Sequence, residues 1–231
     1  MTIFPLVCIP ACAYAVHFAG TPPVQAQKVT GAVRQHPIQT GMPERTLAAV
    51  GPVMAYGFWA KSLLDAVRAA ECAFVERPNS SSPFCAGQLP PHRYLIGWAL
   101  VMTAALIRRA CFREMGRFFT FTVSIQDQHK LIRSGPYSIV RHPGYSAWIL
   151  FTGGIILLHL DDLPFFSTMS APLIWKLVGW YNLVYISLTV LGLYSLLMRA
   201  DVEDAILREH CGQEWINYSR EVPDQFIPYV W

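Results

Sequence analysis

Apolar residues fall into five long stretches along this chain, and the segments between them hold most of its charge. Each stretch approaches the roughly 20 residues that a helix needs to cross the hydrocarbon core of a bilayer. The first runs from Thr2 to Ala19, uncharged but containing Pro5 and Pro10. The second, Thr46 to Val67, is interrupted by Lys61 and Asp65. The third, His92 to Ile107, stops at Arg108 and Arg109, and the fourth, Tyr145 to Leu160, stops at Asp161 and Asp162. The fifth, Pro172 to Met198, is long and aromatic, with Lys176 near its start. This pattern predicts an all-α integral membrane protein with about five transmembrane helices. A cleaved signal peptide is the rival reading of Thr2 to Ala19, although no Lys or Arg precedes its apolar run.

Composition supports a membrane rather than a soluble fold. Of 231 residues, 53% are hydrophobic and 14% are charged, against about 25% charged in soluble domains. The aromatic content argues against disorder. A net charge of +3, spread along the chain, excludes nucleic acid as an expected partner. Cys8, Cys12, Cys72, Cys85, Cys111 and Cys211 form no CxxC pair and no metal-ligand spacing, so no metal is expected. Between the third and fourth stretches lie Arg108, Arg109, Arg113, Arg117, Lys130, Arg133 and Arg141, opposed only by Glu114 and Asp127. The positive-inside rule places this loop in the cytoplasm. Five spans then put the carboxyl terminus in the cytoplasm and the amino terminus outside or in the lumen. Of two Asn-x-Ser sequons, Asn79 falls on the lumenal side and Asn217 in the cytoplasmic tail, so only Asn79 is open to glycosylation.

The remaining polar groups crowd into Arg108 to Tyr145 and Arg199 to Trp231, both on the expected cytoplasmic side. A channel or transporter tends to put such groups inside its spans; here they predict a site at the cytoplasmic face. Gly135-Pro136 predicts a turn. His142 precedes a proline and is biased away from helix, and Pro143 suits a first helical turn. Arg141 and His142 thus stand where a helix begins, beside N–H groups that could bind an anion, or where an Arg snorkels to lipid headgroups. Arg199 and Glu203 are four apart on one helix face, which Leu207 extends; alone they also read as an ordinary surface salt bridge. From Arg199 onward three basic residues accompany seven acidic ones, so the tail could close electrostatically on the basic loop. Trp215, Tyr218 and Phe226 fit either that closed face or the lipid interface.

These segments resemble a known family. His129-Lys130-Leu131-Ile132, Gly135-Pro136-Tyr137, Arg141-His142-Pro143-Gly144-Tyr145, then Arg199, Glu203-Asp204, Leu207 and Gly212 to Tyr218 follow the order of motifs in the isoprenylcysteine carboxyl methyltransferases. The resemblance starts near Gly116-Arg117. The Arg-His-Pro-x-Tyr element is shared with phospholipid methyltransferases; the later Arg-Glu-acid-Leu element narrows the likeness. The resemblance implies a cytoplasm-facing pocket for S-adenosylmethionine without a Rossmann fold, and the chain contains no Gly-x-Gly. By position it assigns His129, Lys130, Leu131, Ile132, Tyr137, His142, Pro143, Gly144, Tyr145 and Glu203 to the cofactor, with Gln126 a further candidate. It assigns Arg199 to the substrate carboxylate, making Arg199 and Glu203 the expected catalytic pair.

The resemblance further implies methylation of the carboxylate of a C-terminal S-prenylated cysteine, by a multi-pass protein of the endoplasmic reticulum membrane. Residues 1–107 would supply amino-terminal spans and 108–231 the catalytic core. Two departures stand out: Asp204 is one methylene shorter than the usual second glutamate, and Ala147 stands where the family often has glycine. A phospholipid N-methyltransferase is the nearest alternative, but its amine acceptor must lose a proton and calls for a base. A non-catalytic membrane adaptor on the same fold is the other. The ending Tyr229-Val230-Trp231 is not a prenylation box, so the chain is not expected to be its own substrate.

Overall fold

The computed structural model describes residues 10–17, 52–64, 66–67, 92–119, 130–160, 163 and 173–230, and the strand residues 34–35 and 124–125. Helix dominates. Residues 10–17 (α1) and 52–64 (α2) are helical inside the first two apolar stretches. They are followed by α3 (His92–Met115), α4 (Pro143–His159), α5 (Leu173–Cys211) and α6 (Gln213–Glu221), with 3-10 turns at Gly116–Phe118 and Gly135–Ser138. Among the described residues the one strand pairing is short: β1 (Arg34–Gln35) lies antiparallel to β2 (Ser124–Ile125). Among the described residues, two helical segments are long and apolar enough to cross a membrane, His92–Met115 and Lys176–Cys211. The helix α4 has 17 residues and is about 25 Å long at 1.5 Å per residue. Asp65, Asn79, Gln126 and His129 lie outside the described residues.

Helix α4 is the central element, with no residue along it exposed. Ala147, Trp148, Phe151 and Ile155 of α4 share one core with Val101 and Ala104 of α3, Tyr185 and Leu196 of α5, and Met54, Ala55 and Phe58 of α2. Two glycines let α3 and α4 cross closely. A Cβ added at Gly154 would lie 2.7 Å from the Gly97 carbonyl oxygen and 2.8 Å from Val101 Cγ2. Small residues of this kind allow backbones to approach where lipid gives helices no hydrophobic reason to associate. Gly154→Ala is therefore expected to destabilise the fold by about 1–3 kcal/mol through overpacking. Thermal unfolding in detergent checks this, with Gly153→Ala as the control, because its nearest new contact is at 3.8 Å.

The buried positions of α5 recur three or four residues apart: Asn182, Tyr185, Thr189, Gly192, Leu196 and Arg199. That spacing is one helical face. Two tyrosines on this side of α5 hold α2: Tyr181 donates to the Gly57 carbonyl at 2.6 Å and Tyr185 to the Met54 carbonyl at 3.0 Å. Lys61 of α2, which interrupts the second apolar stretch, is buried. The opposite side of α5 exposes Leu177, Trp180, Val184, Leu188, Leu191, Tyr194 and Met198. Beyond Met198 its exposed positions turn polar, beginning with Asp201. On α3 the same change falls between exposed Leu106 and exposed Arg109.

The apolar pattern ends the fifth stretch at Met198, but the helix continues to Cys211. Residues 199–211 contain neither Gly nor Pro, so nothing in them stops helix propagation. Gly212, at φ +54°, breaks it and starts α6. Asn217 lies exposed on α6.

Candidate active site

Three pieces of chain meet where the polar segment of α5 begins. The first is the turn leading into α4. Gly135 there has φ +60°, which favours glycine, and an added Cβ would lie 2.8 Å from Glu114 Cγ at the end of α3. Ser134 donates to Glu114 at 2.5 Å, fixing the turn to α3. His142 is the non-helical residue before α4 and Pro143 occupies its first turn, as the His-Pro order predicts. The second piece is the Arg199 to Leu207 face of α5. The third is the carboxyl-terminal strap after α6.

The strap closes on the turn through backbone bonds. The N–H of Arg141 donates to the Asp224 carbonyl and that of His142 to the Gln225 carbonyl, both at 2.9 Å. Ser146 Oγ donates to the Phe226 carbonyl at 2.6 Å, and the Tyr218 hydroxyl to the Tyr137 carbonyl at 2.7 Å. The Phe226 side chain is buried against His142 and Tyr145, with ring centroids 5.9 and 6.4 Å away. Arg133 pairs with Glu221 on the outside. The basic loop and acidic tail therefore do join, and Tyr218 and Phe226 belong to that closed face.

Inside it, charges alternate. Glu203 Oε1 accepts hydrogen bonds from Arg199 Nε and from the Tyr145 hydroxyl, both at 2.7 Å. His142 Nδ1 lies 3.6 Å from Glu203 Oε2, and His142 Nε2 lies 2.9 Å from Asp204 Oδ1. Asp204 Oδ2 also accepts from Arg141 Nε at 3.1 Å and from Gln225 Nε2 at 3.3 Å. The His142 and Tyr145 rings stack, 6° from parallel with centroids 5.4 Å apart. Arg199 is only 4% exposed, so the Arg199–Glu203 pair is not an ordinary surface salt bridge.

Burial alone would lower the His142 pKa, but the hydrogen bonds and charges of Asp204 and Glu203 outweigh it and push it up to about 9. The ring is therefore an imidazolium at neutral pH, unsuited to act as a base. Burial, with Cys111 close by, pushes the Tyr137 hydroxyl well above its ordinary value, so it stays a neutral donor.

Of the residues assigned by resemblance, the structure brings together Tyr137, His142, Pro143, Gly144, Tyr145, Arg199 and Glu203. Pro143 is fully buried. Lys130 is exposed, and Leu131 and Ile132 are half-buried. Sequence reasoning quotes Asp204 and Arg141 within the motifs without assigning either to cofactor or substrate, and does not single out Gln225. Asp204 binds His142 and Arg141, the Gln225 carbonyl accepts the His142 N–H, and Phe226, read as a closed-face or interface aromatic, packs against His142. The run of acids Glu203-Asp204 was the signal for the first. A cleft of about 540 Å³ opens beside Asp204, lined by Asp201, Ala205, Arg208, Glu209 and Trp215. No residue assigned to the cofactor lines it.

Comparison with known proteins points the same way. Residues 96–181 match the Isoprenylcysteine carboxyl methyltransferase (ICMT) family. The match takes in the Arg141 to Tyr145 turn and α4, and ends within α5 ahead of Arg199. A "Probable protein-S-isoprenylcysteine O-methyltransferase" of Oryza sativa subsp. indica is 28% identical over 138 residues, 58% of this chain and 61% of the relative. Protein-S-isoprenylcysteine O-methyltransferases B and A of Arabidopsis thaliana are 23% and 21% identical over 136 residues, 58% of each chain. The aligned region thus spans about three fifths of these relatives' length. The chain is thus similar to the isoprenylcysteine carboxyl methyltransferase family over residues 96–181 and to these relatives over about three fifths of its length.

Proposed function

We propose that this chain uses S-adenosylmethionine to methylate the C-terminal carboxylate of S-prenylated cysteine at a membrane surface. The observation that carries the reading is the part-buried Arg199–Glu203–Tyr145 chain, seated where the exposed face of α5 changes from apolar at Met198 to polar at Asp201. That change marks the lipid–water boundary, so the reacting groups stand at the depth of a headgroup. A prenyl tail gains about 0.8 kcal/mol of membrane affinity per buried CH2 and stays in the bilayer. Its cysteine carboxylate then meets the site at this boundary. With α3, α4 and α5 spanning and α1 and α2 completing five spans, the site faces the cytoplasm of the endoplasmic reticulum membrane.

The donor set fits the cofactor. Glu203, one-fifth exposed (20%) between Tyr145 and Arg199, offers a carboxylate to hydroxyl or ammonium groups. Tyr137 offers a neutral hydroxyl, and Leu131 and Ile132 offer apolar surface. His142 and Pro143 shape the wall from behind, and His129, Lys130, Gly144 and Tyr145 complete the set. When bound, S-adenosylmethionine would supply the methyl group as a positive sulfonium. The acceptor carboxylate is ionised at neutral pH and needs no base, which matches a site whose histidine is already protonated. Arg199 binds and orients the carboxylate through its planar fork. The strap and α4 exclude water, so positioning carries the catalysis. An amine acceptor would need a base, and a protonated His142 is a poor one; the buried Arg199 favours a carboxylate acceptor over phospholipid N-methylation.

Membranes containing the chain, given labelled S-adenosylmethionine with a farnesylated cysteine analogue and phosphatidylethanolamine together, are expected to form base-labile label on the farnesyl cysteine. Label on the phospholipid alone would transfer the function to the amine-methylating alternative. Absence of both labels and of cofactor binding would favour the adaptor.

A further inference from the structure

The strap that closes the candidate site runs on into a turn made of apolar residues. Ile227-Pro228-Tyr229-Val230 follows directly on buried Phe226, and all four residues are exposed, Tyr229 by 97% and Val230 by 75%. None of the four carries a charge. The Val230 N–H donates to the Ile227 carbonyl at 3.1 Å and closes the turn. Tyr229 has φ +65°. Proline in the second position and a positive φ in the third follow the type II pattern, whose third position favours glycine. A tyrosine there is strained, and strain that a structure retains points to a use for the side chain.

The turn is pinned at a particular depth. The Tyr229 N–H donates to the Asp224 carboxylate at 2.8 Å, while the Asp224 carbonyl accepts from the Arg141 N–H at 2.9 Å. Gln225 Nε2 donates to Asp201 Oδ1 at 2.9 Å, and Asp201 is where the exposed face of α5 turns polar after Met198. Ile227 is two residues from Gln225, a span of at most about 7 Å. Ile139, two residues before Arg141, is exposed too, so both arms of the Arg141–Asp224 junction present apolar side chains. The acids beside the turn are engaged within the chain: Asp224 by the Tyr229 N–H, Glu221 by Arg133, and Asp204 by His142 and Arg141. Exposed Arg220, just ahead of the strap, suits an anionic lipid surface. Tyrosines gather at the headgroup level of membranes, where one end of the ring is apolar and the other wet. The depth of the turn thus favours a bilayer over a partner protein.

We propose that the Ile227–Val230 turn is a membrane anchor, seated in the headgroup layer of the leaflet at which the site opens, and that it holds the strap closed. The proposal rests on the membrane placement of α5 given above. Phe226, one residue before the turn, is buried against His142 and Tyr145, so lipid that holds the turn keeps this wall in place.

The test puts an environment-sensitive fluorescent amino acid at position 229, 184 or 209 of the full chain. Each protein is reconstituted without substrate in vesicles of phosphatidylcholine and phosphatidylserine. Val184 lies on the exposed apolar face of α5 and reports the bilayer. Glu209 is exposed on the same helix beyond Asp201, about 12 Å further along it, and reports water. The label at 229 is expected to emit to the blue of the label at 209. Lipids carrying a nitroxide near the headgroup should quench it more than lipids carrying one at the chain end. Iodide on both sides of the membrane should quench it less than the label at 209. Quenching at 229 that matches 209, with 184 quenched by lipid nitroxides, would overturn the anchor and leave the membrane and methyltransferase readings standing; the turn would then face water or a partner protein. No lipid quenching at 184 would overturn the membrane placement and the anchor with it. Tyr229→Gly combined with Val230→Ser removes the anchor and relieves the φ strain, so the fold is retained. In vesicles it is expected to speed hydrogen exchange at the strap-bonded N–H groups of Arg141 and His142 roughly tenfold. Unchanged exchange there would show that the turn does not hold the strap.

Discussion

Arg199→Ala is expected to abolish carboxyl methylation while the protein still folds and inserts in the membrane. Truncating one partner of a buried, hydrogen-bonded charge pair typically costs about 2–5 kcal/mol, or roughly 30- to several-thousand-fold in kcat/KM if the lost interaction is made to the reacting group. The loss at Arg199 is double: the acceptor carboxylate loses its fork, and Glu203 loses the Nε donor at 2.7 Å. Glu203 keeps the Tyr145 hydroxyl at 2.7 Å and His142 at 3.6 Å, so the site should not collapse. S-adenosylhomocysteine affinity is therefore expected to change far less than turnover. Arg199→Lys should fall between, because it keeps the charge without the planar fork. Substantial residual methylation by purified, folded Arg199→Ala would remove the residue from its role.

How the sequence announces this site depends on which residues are asked about. The apolar stretches are visible because a bilayer demands long uninterrupted runs, and α3 and α5 follow from that demand directly. The His-Pro step starts α4 because proline restricts its predecessor and tolerates the first turn. From the residues alone Arg199 and Glu203 are a common i,i+4 pair; the motif resemblance marks them, and the burial of Arg199 sets them apart from a surface pair. That burial arises because α5 continues its packing face past Met198 into a polar segment, and no local pattern shows that the strap will cover it. The strap contacts join residues about eighty positions apart, as with Arg141 N–H to the Asp224 carbonyl. Such pairings are set by tertiary closure, so Gln225 carries no sequence signal and Phe226 only that of an aromatic suited to a closed face or an interface. Arg108 reads as the end of a span by its neighbours, and only the turn of α3 separates it from exposed Arg109.

Asp204 is the residue whose removal should damage the fold most. Its two oxygens accept from His142 Nε2, Arg141 Nε and Gln225 Nε2, tying the α4 start, α5 and the strap together. Its shorter side chain, where the family usually has glutamate, still reaches all three. Asp204→Ala would leave an imidazolium and a guanidinium half-compensated in a buried site, which typically costs about 3–5 kcal/mol. The variant is expected to unfold at much lower temperature in detergent and to lose nucleoside binding, whereas Asp204→Glu should recover much of both. The same pair predicts a pH dependence. The folded His142 pKa of about 9 lies above its ordinary 6.5, so the folded state holds this proton more tightly than the unfolded chain. The linked stabilisation is fully present below pH 6.5 and is lost as pH rises through 9. At about 1.4 kcal/mol per pH unit, the wild-type loss is on the order of 2–3 kcal/mol. Asp204→Asn, which cannot hold the ring protonated in the same way, should show a flatter melting profile between pH 6.5 and 9.5. A wild-type profile that is already flat, or a slope unchanged in Asp204→Asn, would show that the His142–Asp204 contact is not an ion pair.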